Sequence, residues 1–237
     1  MTRGLTRDPT GGEMAAPLRS TIPLQVTDGV YAPQEDSWLL SGVLEASGLA
    51  EGRRVLDICT GSGVLALEAA RLGAREVLAF DLCPAAVECA SGNAAASGLP
   101  VEVRLGTLQD AVQHGPFDLV VTNPPYVPST LPPAGTGPDR AWDAGADGRV
   151  VLDELCALAP RLIAPGGALL LVQSEFSAPR QTVQVLTDSG FIAHTAARQM
   201  IDFGPVMTAR AGELEASGLL EPERRTEELV VIRAHRV

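Results

Sequence analysis

Asn123, Pro124, Pro125 and Tyr126 end the apolar run VVT (120–122) with a corner that could hold a planar nitrogen. A residue ahead of a proline is biased to extended geometry, and proline itself carries no N–H. The Asn123 side-chain oxygen and the Pro124 backbone oxygen therefore form a fixed outward pair of acceptors, with no local donor to consume them. Such a pair can receive the two hydrogens of an –NH2 group and expose the nitrogen lone pair to an electrophile. The Tyr126 ring can pack on the plane of that group. Methyl transfer to an amide or aromatic amine needs this kind of orientation more than it needs a strong base. The plainer reading is that N-P-P is only a rigid turn.

Other candidate residues stand just past apolar runs. DICTGSG (57–63) reads as a strand entering a turn, and Gly61 and Gly63 let backbone approach a ligand there. Asp57 lies ahead of the turn, where a carboxylate can accept from turn amides or meet a cationic group. Asp81, with Leu82 after it, ends the next run, and an acid there can accept both hydroxyls of a ribose. That fits any adenosine ligand, S-adenosylmethionine included, and Asp81 could also simply cap the helix after Pro84. G-S-G-V-L-A also satisfies the loose dinucleotide pattern, so a nicotinamide enzyme is a rival. Against it, no Tyr-x-x-x-Lys pair or suitably placed histidine is visible, and the asparagine-proline corner would be unexplained.

The periodicity predicts strands over 53–58, 76–82, 101–106, 117–123, 168–175, 191–199 and 227–237. Helices are predicted over 64–73, 84–98, 150–167 and 178–190, with 205–226 partly helical. Strands alternating with helices imply a mostly parallel, Rossmann-like sheet with helices on both faces. Ligands of such sheets bind outside the carboxyl ends of the strands. CTGSG, Asp81–Leu82, Thr107–Leu108 and the 123–126 corner should then line one crevice.

Composition narrows the class. The chain has 237 residues, 46% of them hydrophobic, which suits one domain. A mobile tail is expected over 1–24 and a single domain over 25–237. The N-terminus has no apolar stretch of the secretory kind, and no run approaches the roughly 20 residues of a membrane helix. The net charge of −11 argues against a nucleic-acid substrate, because phosphate backbones are gripped by Lys and Arg. Arg53/Arg54 and Arg224/Arg225 are sparse pairs, not a patch. Cys59, Cys83, Cys89 and Cys156 lack metal spacing and read as reduced core thiols. No metal is expected, and the location is expected to be cytoplasmic.

DICTGSG, Asp81 and NPPY together resemble the class I S-adenosylmethionine-dependent N-methyltransferases, among which NPPY marks enzymes acting on planar amino groups. DGVYAPQEDSWLL (28–40), WDAGADGRVVLDELC (142–156) and RRTEELVVIR (224–233) narrow the resemblance to the release-factor glutamine N5-methyltransferases, HemK-like and of the short form. It covers most of residues 28–237. It implies an antiparallel last strand and S-adenosylmethionine as cofactor. It implies Ser37, Asp57 and Gly61 near the methionine part, Asp81 at the ribose and Leu108 at the adenine, with Cys59, Gly63, Leu82, Thr107 and Asn123 also in the cofactor site. Asn123, Pro124 and Tyr126 would hold the acceptor amide. A protein substrate, a release factor with its Gly-Gly-Gln loop, and a small activator subunit are the implied partners. The N-terminal helical domain of the long-form enzymes is not expected. Two positions depart from the pattern: Cys59 replaces a glycine, and Thr107 replaces an acid that would contact the adenine amine, with Asp110 a candidate substitute. A nucleic-acid amino methyltransferase, a small-molecule or natural-product N-methyltransferase, and a non-catalytic binding subunit are the alternatives.

Overall fold

The computed structural model describes residues 22–129 and 142–237. Most of the expected tail lies outside the described residues, and Leu24 already packs against the core.

All seven expected strands form: β1 (Arg54–Ile58), β2 (Glu76–Asp81), β3 (Val101–Leu105), β4 (Phe117–Thr122), β5 (Ile163–Ser174), β6 (Phe191–Asp202) and β7 (Thr226–Arg236). They make one sheet in the order β3-β2-β1-β4-β5-β7-β6. The first five are mutually parallel, and β7 inserts antiparallel between β5 and β6. Strands buried on both faces should read as continuous apolar runs, as β1, β4 and β5 do. After β3 the chain crosses back over β2 and β1 to place β4 on the far side of β1. That reversal opens a crevice above the ends of β1 and β4.

Among the described residues seven α-helices cover the sheet: α1 (Glu35–Ser47), α2 (Val64–Arg71), α3 (Pro84–Ser97), α4 (Leu108–Val112), α5 (Val150–Leu162), α6 (Pro179–Asp188) and α7 (Pro205–Ala216). α2 starts at Gly63, whose φ is +85°. A Cβ there would sit 3.1 Å from the Ala90 Cβ, so the turn can lie flat against α3 only as glycine. α1 was not anticipated. It buries Leu39, Leu40 and Leu44 and carries Glu35 and Asp36 in its first turn, where the helix dipole favours acids. α5 ends five residues short of the expected 167, because Ile163 already pairs with Phe117 as the start of β5. The Arg236 guanidinium donates to the freed carbonyls of Pro160 and Ile163 and closes the helix.

Among the described residues no helix is long and apolar enough to cross a membrane. No disulfide forms. Cys89 and Cys156 are buried as expected, but Cys83 is exposed, since it is the N-cap of α3 and not part of its packed face. Arg54, Arg224 and Arg225 are each ion-paired to a glutamate, so the sparse arginine pairs make no basic patch.

Candidate active site

The four strand ends are tied together by hydrogen bonds that run across the sheet. Gly106 N, after β3, donates to Asp81 O at 2.9 Å, and Gly61 N, after β1, donates to Asp81 Oδ2 at 2.9 Å. Thr122 Oγ1, at the end of β4, donates to Ile58 O at 2.6 Å. The expected segments therefore share one edge of the sheet.

Asp57 is fully buried inside β1. Its Oδ2 accepts from Thr60 Oγ1 at 2.6 Å and Ala66 N at 3.0 Å, which folds the turn over the strand. Its Oδ1, also buried, has no partner among the described residues. Burial pushes the carboxyl up to about 7, against the opposing pull of Thr60 and Ala66. A buried acceptor without a donor is costly unless a ligand supplies one. Gly61 adds open space, since nothing lies within 4 Å of where its Cβ would be. Cys59 keeps a left-handed φ of +61°, the reason a glycine suits this position, and it packs its side chain against the core. Desolvation first, then Asp81 and Asp57, raise its thiol pKa, so it stays protonated and inert.

Asp81 holds both turns that flank it. Beside Gly61 N on Oδ2, its Oδ1 accepts from Cys83 N at 2.9 Å. Burial raises its pKa, and these backbone donors partly offset the rise. Leu82 is 54% exposed and forms an open apolar lip, whereas Leu108 is buried at the start of α4. Thr107 is committed elsewhere: its hydroxyl and backbone N–H donate to Asp110 Oδ2, and Asp110 N donates back to Thr107 Oγ1. This reciprocal cap starts α4. Asp110 is thus engaged by the cap.

The acceptor corner has an organiser that the sequence did not announce. Asp36, on α1, is buried, and its Oδ2 accepts from Asn123 Nδ2 at 2.9 Å, Tyr126 OH at 2.9 Å and Tyr31 OH at 3.1 Å. Its Oδ1 accepts from Ser37 N at 2.6 Å and Ser37 Oγ at 3.2 Å. A carboxylate only accepts, so the atom of Asn123 that faces it must be the amide nitrogen. The same nitrogen lies 3.3 Å from Ser37 Oγ. The Asn123 carbonyl is left pointing away from Asp36, with no protein donor among the described residues. The Pro124 carbonyl likewise accepts from no described residue. Tyr126 is tethered through its hydroxyl, and its phenol is held protonated by burial and by Asp36. No helix was expected over 35–47, so nothing in the sequence singled out Asp36, and only its neighbour Ser37 carried a signal, through the family resemblance.

A crevice enclosing about 60 Å³ adjoins this corner. It is lined by Tyr31, Asp36 and Asn123–Val127 and by Ile201, Val206, Met207, Glu227 and Leu229 from β6, α7 and β7. Two contacts fix the loop behind it. Gly148 has a φ of +69°, and a Cβ there would stand 2.4 Å from the Tyr126 carbonyl oxygen. Arg210 on α7 donates to both carboxylate oxygens of Asp143, at 2.8 and 3.0 Å, and to Ser129 Oγ at 3.0 Å. Asp57, Asp81 and Leu108 do not line this crevice.

The sheet order, the glycine turn after β1 and the acid after β2 define a class I methyltransferase. Accordingly, the solved Mtq2–Trm112 complex of E. cuniculi, described as responsible for methylation of the translation termination factor eRF1, superposes with a TM-score of 0.62 and 24% identity. That match covers 88% of this chain and 99% of the other. The family model of ribosomal protein L11 methyltransferase (PrmA) matches residues 41–124, from within α1 to Pro124. Methyltransferase HEMK2 of Mus musculus is 33% identical over 175 residues, covering 70% of this chain and 82% of that protein. The release factor glutamine methyltransferase of Deinococcus radiodurans is 42% identical over 159 residues, covering 65% of this chain and 57% of its own length. The chain belongs to the HemK family of glutamine methyltransferases.

Proposed function

We propose that this protein transfers a methyl group from S-adenosylmethionine to the side-chain amide nitrogen of a protein glutamine, the one in the Gly-Gly-Gln loop of a peptide-chain release factor. The observation that carries the reading is the fixed orientation of Asn123. With Nδ2 committed to Asp36, the Asn123 carbonyl and the Pro124 carbonyl are two acceptors for the two hydrogens of a primary amide. The cofactor supplies an electrophilic methyl on a sulfonium. Asp57 fits the cofactor because its buried, unpartnered oxygen suits a cationic or N–H donor, and Gly61 leaves room for close approach. Asp81 would take the ribose, Leu82 and Leu108 the nucleoside's apolar flanks, and Ser37, Cys59 and Gly63 the methionine side. Thr107, occupied as a cap, serves the adenine only by positioning α4.

The family resemblance supports the release factor as the acceptor. A small activator subunit belongs to the same reading, since the Mtq2 neighbour is a two-component complex. The test is transfer of label from methyl-labelled S-adenosylmethionine to purified release factor, to transfer RNA and to DNA, side by side. Labelled release factor is the expected result. Label on nucleic acid alone would move the protein to the rival class.

A further inference from the structure

From the chain arms that follow the corner we infer that Arg210 is a positioning residue for the acceptor, which fixes α7 against the corner and so sets the shape of the crevice. The inference rests on the amide-methylation reading above. Val206 and Met207, on the first turn of α7, line the crevice together with Tyr126 and Val127. They stand four and three residues ahead of Arg210, so all three share one face of the helix. Whatever Arg210 grips therefore decides where these two side chains stand.

Arg210 grips both arms that continue the corner. Its guanidinium donates to Asp143 Oδ1 at 2.8 Å and Oδ2 at 3.0 Å, and to Ser129 Oγ at 3.0 Å. Ser129 lies three residues after Tyr126, and Asp143 lies on the second arm, paired with Val127. The arms are tied to each other as well. Val127 N donates to Trp142 O at 2.9 Å, Ala144 N to Val127 O at 3.1 Å and Ser129 N to Gly145 O at 2.9 Å. Glu213, one turn further along α7, accepts from the same guanidinium at 3.0 Å and helps to aim it. A continuous set of hydrogen bonds therefore joins α7 to the residues next to Tyr126.

Arginine suits this task because its planar fork places two donors on one carboxylate at once, which a lysine cannot do. The pair is largely buried, and a buried ion pair adds little net stability, so its main effect here is on placement. The orientation of the acceptor has a separate source: Asn123 is turned by Asp36 on α1 and not by Arg210. Loosening α7 should therefore weaken the hold on the acceptor and leave it correctly turned once bound. Walls that touch the acceptor equally before and during the reaction change KM more than kcat.

The experiment measures KM for release factor and kcat, at saturating S-adenosylmethionine, for the wild type, Arg210→Ala, Arg210→Lys and Arg225→Ala. Calorimetric titration with S-adenosylmethionine counts the folded sites in each. Arg225 is the control, because its guanidinium reaches Glu215 on α7 and the Arg224 carbonyl but neither arm. Arg210→Ala should raise KM by about 10-fold, the scale of one lost charge-assisted contact, with kcat and cofactor affinity little changed. Arg210→Lys keeps the charge beside Asp143 without the fork and should show a smaller rise of the same kind. Arg225→Ala should keep the wild-type KM. A merely structural role would lower kcat and the count of cofactor sites together at constant KM, and that result would overturn the inference. So would a wild-type KM in Arg210→Lys, which decides the matter if the alanine variant does not fold, or an equal rise in Arg225→Ala. A wild-type enzyme that binds S-adenosylmethionine but methylates no release factor would instead overturn the underlying reading.

Discussion

At the scale of single residues, the account turns on one amide and the carboxylate behind it. Contacts realised mainly in the transition state change turnover more than ligand affinity. Asn123→Ala should lower turnover by about 100-fold, the scale of one lost preorganised polar group, while calorimetry finds S-adenosylmethionine affinity little changed. Asn123→Asp keeps the shape, but it turns a second carboxylate oxygen onto Asp36 Oδ2, where Nδ2 now donates. It should therefore be as slow as the alanine variant. Asp36→Asn removes the charged acceptor of four side chains, those of Tyr31, Ser37, Asn123 and Tyr126. It should cost about 1.5–3 kcal/mol of stability in urea melts and free the Asn123 amide to rotate. Asn123 and Asp36 act as one unit, so the double variant should be no slower than the worse single one. The acceptor pair at Asn123 and Pro124 could be read in the sequence, because proline geometry is local. Asp36 could not. It lies 87 positions from Asn123, and its value comes from burial beside it, which no local pattern encodes.

The elements behind the corner carry their own prediction. Gly148 lets the loop after residue 142 pass against the Tyr126 carbonyl, with no room for a side chain. Gly148→Ala combines that clash with a left-handed φ and should cost about 2 kcal/mol, read by denaturant melts, with turnover falling as the corner shifts. The strands were legible because each is a short apolar run between turn signals. α4 was not, because it is a five-residue helix held by the Thr107–Asp110 cap and not by any periodicity. α5 was overextended because Ile163, Ala164 and Pro165 keep an apolar character that reads as helix, while their pairing partner Phe117 lies far back in sequence. The segment 205–226 was expected to be partly helical, and α7 is that helix. It is anchored by Arg210 to Asp143 and supplies Val206 and Met207 to the crevice, a long-range placement.

Across the whole molecule, charge links stability to ligand binding. Asp57 in the fold titrates near 7, whereas an unfolded aspartate titrates near 3.8. Below the lower value both states are protonated. Between the two, the unfolded chain ionises first, so stability falls as pH rises from about 4 to about 7 and then levels off. Above 7 the buried charge awaits a partner. The melting temperature should therefore rise more on adding S-adenosylmethionine at pH 8 than at pH 5.5, and equal shifts would remove Asp57 from the cofactor site. With a net charge of −11 and Arg54, Arg224 and Arg225 ion-paired to glutamates, the protein should not bind duplex DNA or structured RNA at submicromolar concentration near physiological salt, as a filter-retention assay would show. The central claim is that the corner at Asn123 delivers a methyl group to a protein glutamine. It is tested most directly by the intact mass of release factor after incubation with the protein and S-adenosylmethionine, followed by fragmentation to place the added mass. A single added methyl on the glutamine of the Gly-Gly-Gln loop is expected with the wild type, and none in the same time with Asn123→Ala. An unmodified release factor, or a methyl placed on the same glutamine equally fast by Asn123→Ala, would contradict it.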